Sequence, residues 1–125
     1  MTTEEKELLF KDLCARLPYH PIIYGKEGIS TNEGVLTTVT TSGVIINTKG
    51  GNHHYYFTEE IKPYLRPMSS MTNREKAEYT SLRSKGGYDW DEYEADKLIT
   101  WLDKNMFDHR GLIKKDLALP LSPEQ

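Results

Sequence analysis

The sequence predicts an α+β fold in which an N-terminal helix and C-terminal helices pack on a short antiparallel sheet. Apolar residues recur at helical spacing near both ends, whereas the middle holds short β-branched and aromatic runs divided by glycine turns. The chain has 125 residues and is 37% hydrophobic, enough for one modest core. We therefore expect a single domain with a helix over 1–18, an antiparallel meander over 20–66, a helical part over 72–119 and a tail over 120–125.

The first residues predict an amphipathic helix over 3–17. Thr2 and Glu5 have the spacing of a capping box, and Arg16 suits the carbonyl groups at the end of the helix. Cys14 lies beside the apolar stripe, so we expect it to be a small buried hydrophobe. The stripe and its flanking residues are Leu9, Leu13 and Leu17 with Phe10 and Cys14.

Four short runs after the helix predict β-strands, at residues 21–24, 35–41, 44–48 and 53–58. The connections are too short for a parallel crossover, so neighbouring strands should be antiparallel. One face of the second run should carry Val35, Thr37, Val39 and Thr41. The result is a short meander, which could also curl into a small SH3-like or Sm-like barrel.

Two prolines follow the meander. Pro63 and Pro67 lie within residues 60–70, and proline interrupts regular hydrogen bonding. We expect this segment to be an extended connector on the surface.

Two further capping boxes predict the C-terminal helices. Thr72 with Glu75 opens a helix over 73–85 that Gly86 and Gly87 end, and Asp89 with Glu92 opens a stronger helix over 90–106. The second helix carries a continuous apolar stripe, which we expect to be buried: Ala95, Leu98, Ile99, Leu102 and Met106.

Composition excludes several classes of protein. The net charge of −3 and pI near 5.8 disfavour a generally basic nucleic-acid coat, and one cysteine excludes a disulfide framework or a multi-cysteine zinc site. No apolar run exceeds three residues, and the first seven residues are acidic, unlike a secretory signal. We expect a cytoplasmic protein with no membrane association.

Catalytic and cofactor patterns are weak. His53 and His54 are adjacent and would point to opposite faces of a strand, so they cannot chelate one ion together, and His20 adds no zinc spacing. The acids between residues 89 and 96 do not fit a calcium loop, and no glycine pair forms a phosphate-binding loop. We expect no metal, no cofactor and no enzymatic activity.

Three stretches carry a resemblance to a known family: DLCARLPY at 12–19, IKPYLRPMSSMT at 61–72, and the segment 101–113 that contains FDHRGLI. In this order they resemble a family of short uncharacterised proteins of gut anaerobes, often encoded in phage-like or mobile elements. The chain departs from that family at the histidines and tyrosines of 53–56 and at His109. The resemblance implies an accessory protein and supplies no catalytic residues.

Charge is distributed unevenly along the chain. Residues 1–60 have a net charge of −3, residues 61–88 of +4, and residues 89–125 of −4. The basic segment 62–85 is a candidate binding surface, made of Lys62, Tyr64, Arg66, Arg74, Lys76, Arg83 and Lys85. Cations interleaved with aromatic rings could track a nucleic-acid backbone or meet an acidic protein. Alternatively, they could neutralise the acidic helix that follows, or simply form a solvated surface.

The function most consistent with the sequence is a non-enzymatic accessory or protein-interaction module with an unidentified protein partner. The alternative is a nucleic-acid-binding module that uses the basic segment 62–85. A small enzyme is a third class, and none of the patterns above supports it.

Overall fold

The computed structural model describes residues 1–84 and 92–121, and for residues 84 and 92–94 it describes the backbone alone. Within these ranges the chain forms an α+β domain, as the sequence predicts. The elements in chain order are α1 (Thr3–Arg16), β1 (Ile22–Glu27), β2 (Ser30–Val39), β3 (Gly43–Thr48), β4 (His53–Phe57), β5 (Ile61–Leu65), α2 (Asn73–Ser84), α3 (Glu92–Lys104) and β6 (Leu119–Pro120).

Helix α1 begins at the predicted capping box. The Thr2 hydroxyl accepts from the Glu5 N–H at 3.0 Å, and the Glu5 carboxylate accepts from the Thr2 N–H at 2.9 Å. Its buried face is turned from the predicted one, because it consists of Leu9, Asp12, Leu13 and Arg16. The prediction that Cys14 is buried is wrong, since its side chain is exposed.

The six strands form one sheet in the order β4-β3-β2-β1-β5-β6. The first four strands are the predicted antiparallel meander, β5 adds antiparallel to β1, and β6 adds parallel to β5. Strands β4 and β6 are therefore the two edges of the sheet.

Strand β2 contains a bulge, and its buried face differs from the predicted one. The register with β3 changes between Leu36 and Thr38, and the Thr37 hydroxyl donates to the Ile45 carbonyl at 3.1 Å. Gly34 and Leu36 already face the core, opposite to the predicted face, and Thr37 is the extra residue and is exposed. The bulge then shifts the alternation, so Val39 lies opposite Val44 and packs against the core.

The sheet is strongly curved. Only the 3₁₀ turn Thr58–Glu60 connects β4 to β5, although β3, β2 and β1 separate these strands in the sheet. Curvature brings the Tyr56 ring of β4 against β1 at Gly25, where a Cβ would lie 2.7 Å from the ring. Glycine is required there because only a hydrogen leaves room for the ring.

Strand β5 replaces the predicted surface connector. Ile61, Pro63 and Leu65 alternate inward and are buried, and Pro63 pairs in register with Ile23 of β1. Proline is tolerated because β5 lies near the edge of the sheet, where one side needs no N–H donor.

Helices α2 and α3 occur where the sequence places them, but only part of the predicted stripe is buried. Leu102 is buried, whereas the prediction that Ile99 belongs to the core is wrong because 44% of it is exposed. Helix α3 ends at Lys104, and turns lead from there to β6. The predicted glycine stop at Gly86–Gly87, the capping residue Asp89 and the tail beyond 121 lie outside the described residues.

Two apolar clusters hold the fold together. The larger one joins α1 to the sheet through residues that include Leu9, Leu13, Ile23 and Leu36, and the smaller one consists of Met71, Leu102 and Phe107. Among the described residues, no helix has the length and apolar content needed to cross a bilayer.

Candidate functional site

Strand β4 presents a row of main-chain groups at one edge of the sheet. The bonds from the Thr48 N–H to the Asn52 carbonyl (2.9 Å) and from the Thr58 N–H to the Ser42 carbonyl (3.1 Å) bracket the β3–β4 ladder. Hydrogen-bonded pairs alternate in an antiparallel ladder, so His54 and Tyr56 of β4 bond to β3. The N–H and carbonyl groups of His53, Tyr55 and Phe57 therefore point away from the sheet.

One of these outward groups already has a partner. The Phe57 N–H donates to the Glu60 carboxylate at 2.8 Å. Among the described strands, β4 pairs with β3 alone, so the outward N–H and carbonyl groups of His53 and Tyr55 and the Phe57 carbonyl meet no neighbouring strand. We call this row of groups, together with the outward side chains of His53, Tyr55 and Phe57, the β4 edge.

The β4 edge also exposes an aromatic pair. Tyr55 is 45% exposed and Phe57 is 55% exposed, and their rings meet edge to face with centroids 5.5 Å apart. The Tyr55 hydroxyl is 2.9 Å from the Ser42 hydroxyl, and a Cβ on Gly43 would lie 2.7 Å from that phenol oxygen. The Tyr55 ring is therefore held in place by its own sheet.

Natural proteins usually protect an edge strand with charge, proline or a bulge. Strand β4 has the sequence His-His-Tyr-Tyr-Phe, with no lysine, acid or proline, and it pairs with β3 in an unbroken register. Its edge is a template for another strand.

The opposite edge of the sheet is protected. Strand β6 pairs with Tyr64 and Leu65 of β5, and the Leu121 N–H donates to the Leu65 carbonyl at 2.7 Å. Pro63 and Pro120 have no N–H to offer a further strand. The contrast makes β4 the accessible edge.

The structure disperses the basic segment 62–85 over several elements. Lys62 pairs with Asp116 at 2.8 Å, and the Tyr64 hydroxyl donates to the Glu33 carboxylate at 2.5 Å. Partial burial, together with the bond to the negative Glu33, raises the pKa of Tyr64 to about 12. Lys62 and Tyr64, the two members of the basic segment on β5, are therefore each bonded to an acidic residue of the same chain.

Arg66 is the most constrained member of that segment. Its guanidinium makes two bonds of 2.7 Å to the Glu75 carboxylate and lies 4.3 Å above the centre of the Phe107 ring. Hydrogen bonding from Arg66 lowers the pKa of Glu75 to about 2. Arg66 therefore joins β5 to α2 and to the smaller apolar cluster.

The other members of the segment do not converge. Arg74 lies 3.6 Å from Glu78, and Arg83 lies 5.5 Å from the centre of the Tyr79 ring. Arg74 and the pair Lys76 and Arg83 fall on opposite sides of α2, given about 100° per residue. Lys85 lies outside the described residues, as do the side chains of most of the acidic helix start that the sequence offers as a partner.

A buried ionic cluster, which sequence reasoning missed, ties α1 to the end of α3. Arg16 is fully buried, bonds to Asp12 at 3.0 Å and donates to the Phe107 carbonyl at 2.6 Å. Arg110 reaches Asp12 at 2.7 Å and Asp103 at 2.8 Å. The only sequence signal was the Asp12–Arg16 spacing, which permits an ion pair within one helix turn.

Asp103 lies against Arg16, Arg110 and His109 in this ionic cluster. Burial acts to raise its pKa, but hydrogen bonds from His109 and Arg110 and the charge of Arg16 outweigh burial and lower the pKa to about 2. Both acids are buried and both are paired with arginine, so neither carboxylate can reach a substrate. The cluster serves to hold two helices together.

Other reactive groups do not assemble. Cys14 is exposed, but partial desolvation by its neighbours raises the pKa of its thiol, which disfavours the nucleophilic thiolate. Within residues 1–84 and 92–121, no group of three or more histidine, cysteine or acidic side chains is placed to hold a metal ion.

A cleft of about 670 Å³ lies between the β1–β2 hairpin and β5, lined by side chains of both charges. Two of them are already engaged, Lys62 by Asp116 and Glu59 by Lys6. Its remaining charges, Lys26 and Glu60, oppose each other in sign, so the cleft selects no single class of ion.

Comparison with family models, with curated proteins and with solved structures yields no match for this chain. The assignment of function therefore depends on the geometry described above.

Proposed function

We propose that this chain is a non-enzymatic protein-interaction module that binds a partner by strand addition at the β4 edge. The observation that carries the proposal is the row of outward main-chain groups beside two exposed aromatic rings. In strand addition, main-chain hydrogen bonds supply affinity and alternate side chains supply specificity. Tyr55 and Phe57 fit the second role because both lie on one face of the strand.

We also propose that the curved sheet belongs to the small SH3-like or Sm-like class of barrel. Support comes from the strand order β4-β3-β2-β1-β5. It also comes from the three-residue 3₁₀ turn that connects β4 directly to β5, the first and last strands of that order. Such a sheet would present β4 on its outside.

The nucleic-acid alternative is less well supported by the same geometry. Lys62, Arg66 and Arg74 are each paired with an acid of this chain, and such pairs would have to break before phosphate could bind.

Proline at position 55 tests the proposal. Tyr55→Pro removes an N–H that points away from β3, so the ladder should survive and the protein should fold. His54→Pro removes an N–H that bonds to β3 and should unfold the sheet, which checks the assignment of the edge. Circular dichroism and thermal melting distinguish the two variants.

Binding is then compared for the wild type, Tyr55→Pro and Ile22→Lys in extracts of the native host. Ile22 is 40% exposed on β1, away from the β4 edge, so its substitution is the matched control. Proteins held by the wild type and Ile22→Lys should be lost by Tyr55→Pro. Retention of all of them by folded Tyr55→Pro would contradict strand addition at β4.

A further inference from the structure

We infer that the strand added at the β4 edge is β4 of a second copy of this chain, which gives a closed two-fold dimer. The inference depends on the proposed function, because it names the partner of the same edge.

The outward groups of β4 complement themselves. In an antiparallel pair centred on Tyr55, the Tyr55 N–H meets the carbonyl of the partner's Tyr55, and the reverse bond forms by symmetry. The His53 N–H likewise meets the carbonyl of the partner's Phe57. These bonds leave the Phe57 N–H with Glu60, where the structure already places it.

The side chains are compatible with the same pairing. Residues directly opposite each other share a face of the sheet, so the exposed Tyr55 rings would meet and each His53 would lie against the partner's Phe57. Self-pairing normally places like charges together, but β4 contains no lysine, arginine or acid. Nothing in the strand opposes a second copy.

The flanking turns add opposite charges. Glu60 and Glu59, which also pairs with Lys6, follow β4, whereas Lys49 lies in the turn before it. Antiparallel pairing brings the end of one strand to the beginning of the other. Each acidic turn would therefore approach the partner's Lys49.

The protected β5–β6 edge determines the symmetry. A head-to-tail assembly would pair β4 of one copy with the other edge of the next, but β6 already covers Tyr64 and Leu65, and Pro63 lacks a donor. A contact between two identical β4 edges uses up both and therefore closes at two copies. A five-residue strand makes a small interface, so we expect a reversible dimer.

Sedimentation velocity over about a hundredfold range of protein concentration tests this inference. The buffer contains a reductant because Cys14 is exposed. The wild type and Ile22→Lys should change from the 14.4 kDa monomer to a species of twice that mass, and Tyr55→Pro should weaken association by at least about tenfold. Hydrogen exchange at the amides of His53 and Tyr55 should slow as the wild type associates.

The outcomes separate the inference from the proposed function. A dimer that Tyr55→Pro leaves intact would overturn the inference, as would a wild type that remains monomeric throughout. If that monomer still binds host proteins that Tyr55→Pro loses, the proposed function stands with a different partner. If binding is also unaffected by Tyr55→Pro, both are wrong.

Discussion

Two asparagines in the sheet show that the same side chain can stabilise the fold at one position and destabilise it at another. The Asn32 amide donates to the Tyr56 hydroxyl at 2.9 Å and so links β2 to β4 across the curved sheet. The Asn47 side-chain oxygen is buried, and among the described residues it has no hydrogen-bond partner. A satisfied polar group stabilises a fold modestly, whereas a buried group without a partner costs about 1–3 kcal/mol.

Valine at these two positions should therefore have opposite effects. Asn47→Val removes the unpaired oxygen and suits a strand, so it should raise the free energy of unfolding by about 1 kcal/mol. Asn32→Val leaves the Tyr56 hydroxyl without its donor and should lower that free energy by a similar amount. Urea titrations of the two variants measure both changes, and the same sign for both would contradict this account.

Helix α1 shows what hydropathy misses at the level of single residues. The leucine spacing predicts the helix and two of its buried residues, Leu9 and Leu13. Asp12 and Arg16 complete the buried face because each is neutralised inside the ionic cluster, a contact formed with residues about ninety positions away. A hydropathy pattern treats Asp12 and Arg16 as exposed polar residues. The face that it predicts to be buried is therefore displaced around the helix towards Cys14.

At the scale of elements, local signals were sufficient for helices and for the meander but not for long-range pairing. Capping boxes locate the starts of α1 and α2, and the glycine turns separate β1 to β4. Strand β5 was missed because Pro63, together with Pro67 beyond the strand, suggested a connector, although Ile61, Pro63 and Leu65 already alternate. Its place beside β1 depends on the curvature of the whole sheet.

The β4 edge was partly within reach of the sequence. A meander places its last strand at an edge, and the run from His53 to Phe57 contains no charge that would protect it. The sequence could not show that β5 would leave this edge and pair elsewhere. Nor could it show that β6 would cover the other one.

The junction of β5 with α2 leads to a prediction that also tests nucleic-acid binding. Arg66→Glu replaces a half-buried cation, paired with Glu75 and stacked on Phe107, by a second negative charge. We expect it to lower the free energy of unfolding by about 2–3 kcal/mol, as loss of bonds to a charged group does. Arg74→Glu should change stability by less than about 1 kcal/mol, because its pair with Glu78 is exposed.

Gel-shift titrations at low salt accompany these denaturant melts. We expect no binding of DNA or RNA by the wild type, since the cations of segment 62–85 are dispersed and paired. Salt-sensitive micromolar binding that Arg66→Glu and Arg74→Glu both weaken, with stability unchanged, would instead support the nucleic-acid alternative.

At the scale of the whole molecule, the ionic cluster connects the two apolar clusters. Leu9 and Leu13 of α1 belong to the larger cluster, whereas Leu102 and Phe107 belong to the smaller one. Arg16 lies on α1 and donates to the Phe107 carbonyl, so it bridges the two. Protonating Asp103 of this cluster should weaken both parts of the domain together.

Acid should therefore unfold the protein through Asp103. The lowered pKa of about 2 in the fold, against 3.8 as its ordinary value, means that its contribution is complete above about pH 4 and lost as pH falls through 2. A difference of this size corresponds to roughly 2 kcal/mol of unfolding free energy.

The unfolding free energy, measured between pH 5 and about pH 2, tests this expectation. That of the wild type should fall with pH, whereas that of Asp103→Asn should start lower and fall less steeply. Asp96→Asn, at an exposed position of α3, should keep the slope of the wild type. An equal slope in Asp103→Asn would show that the acid sensitivity comes from other carboxylates, such as Glu75 in its pair with Arg66.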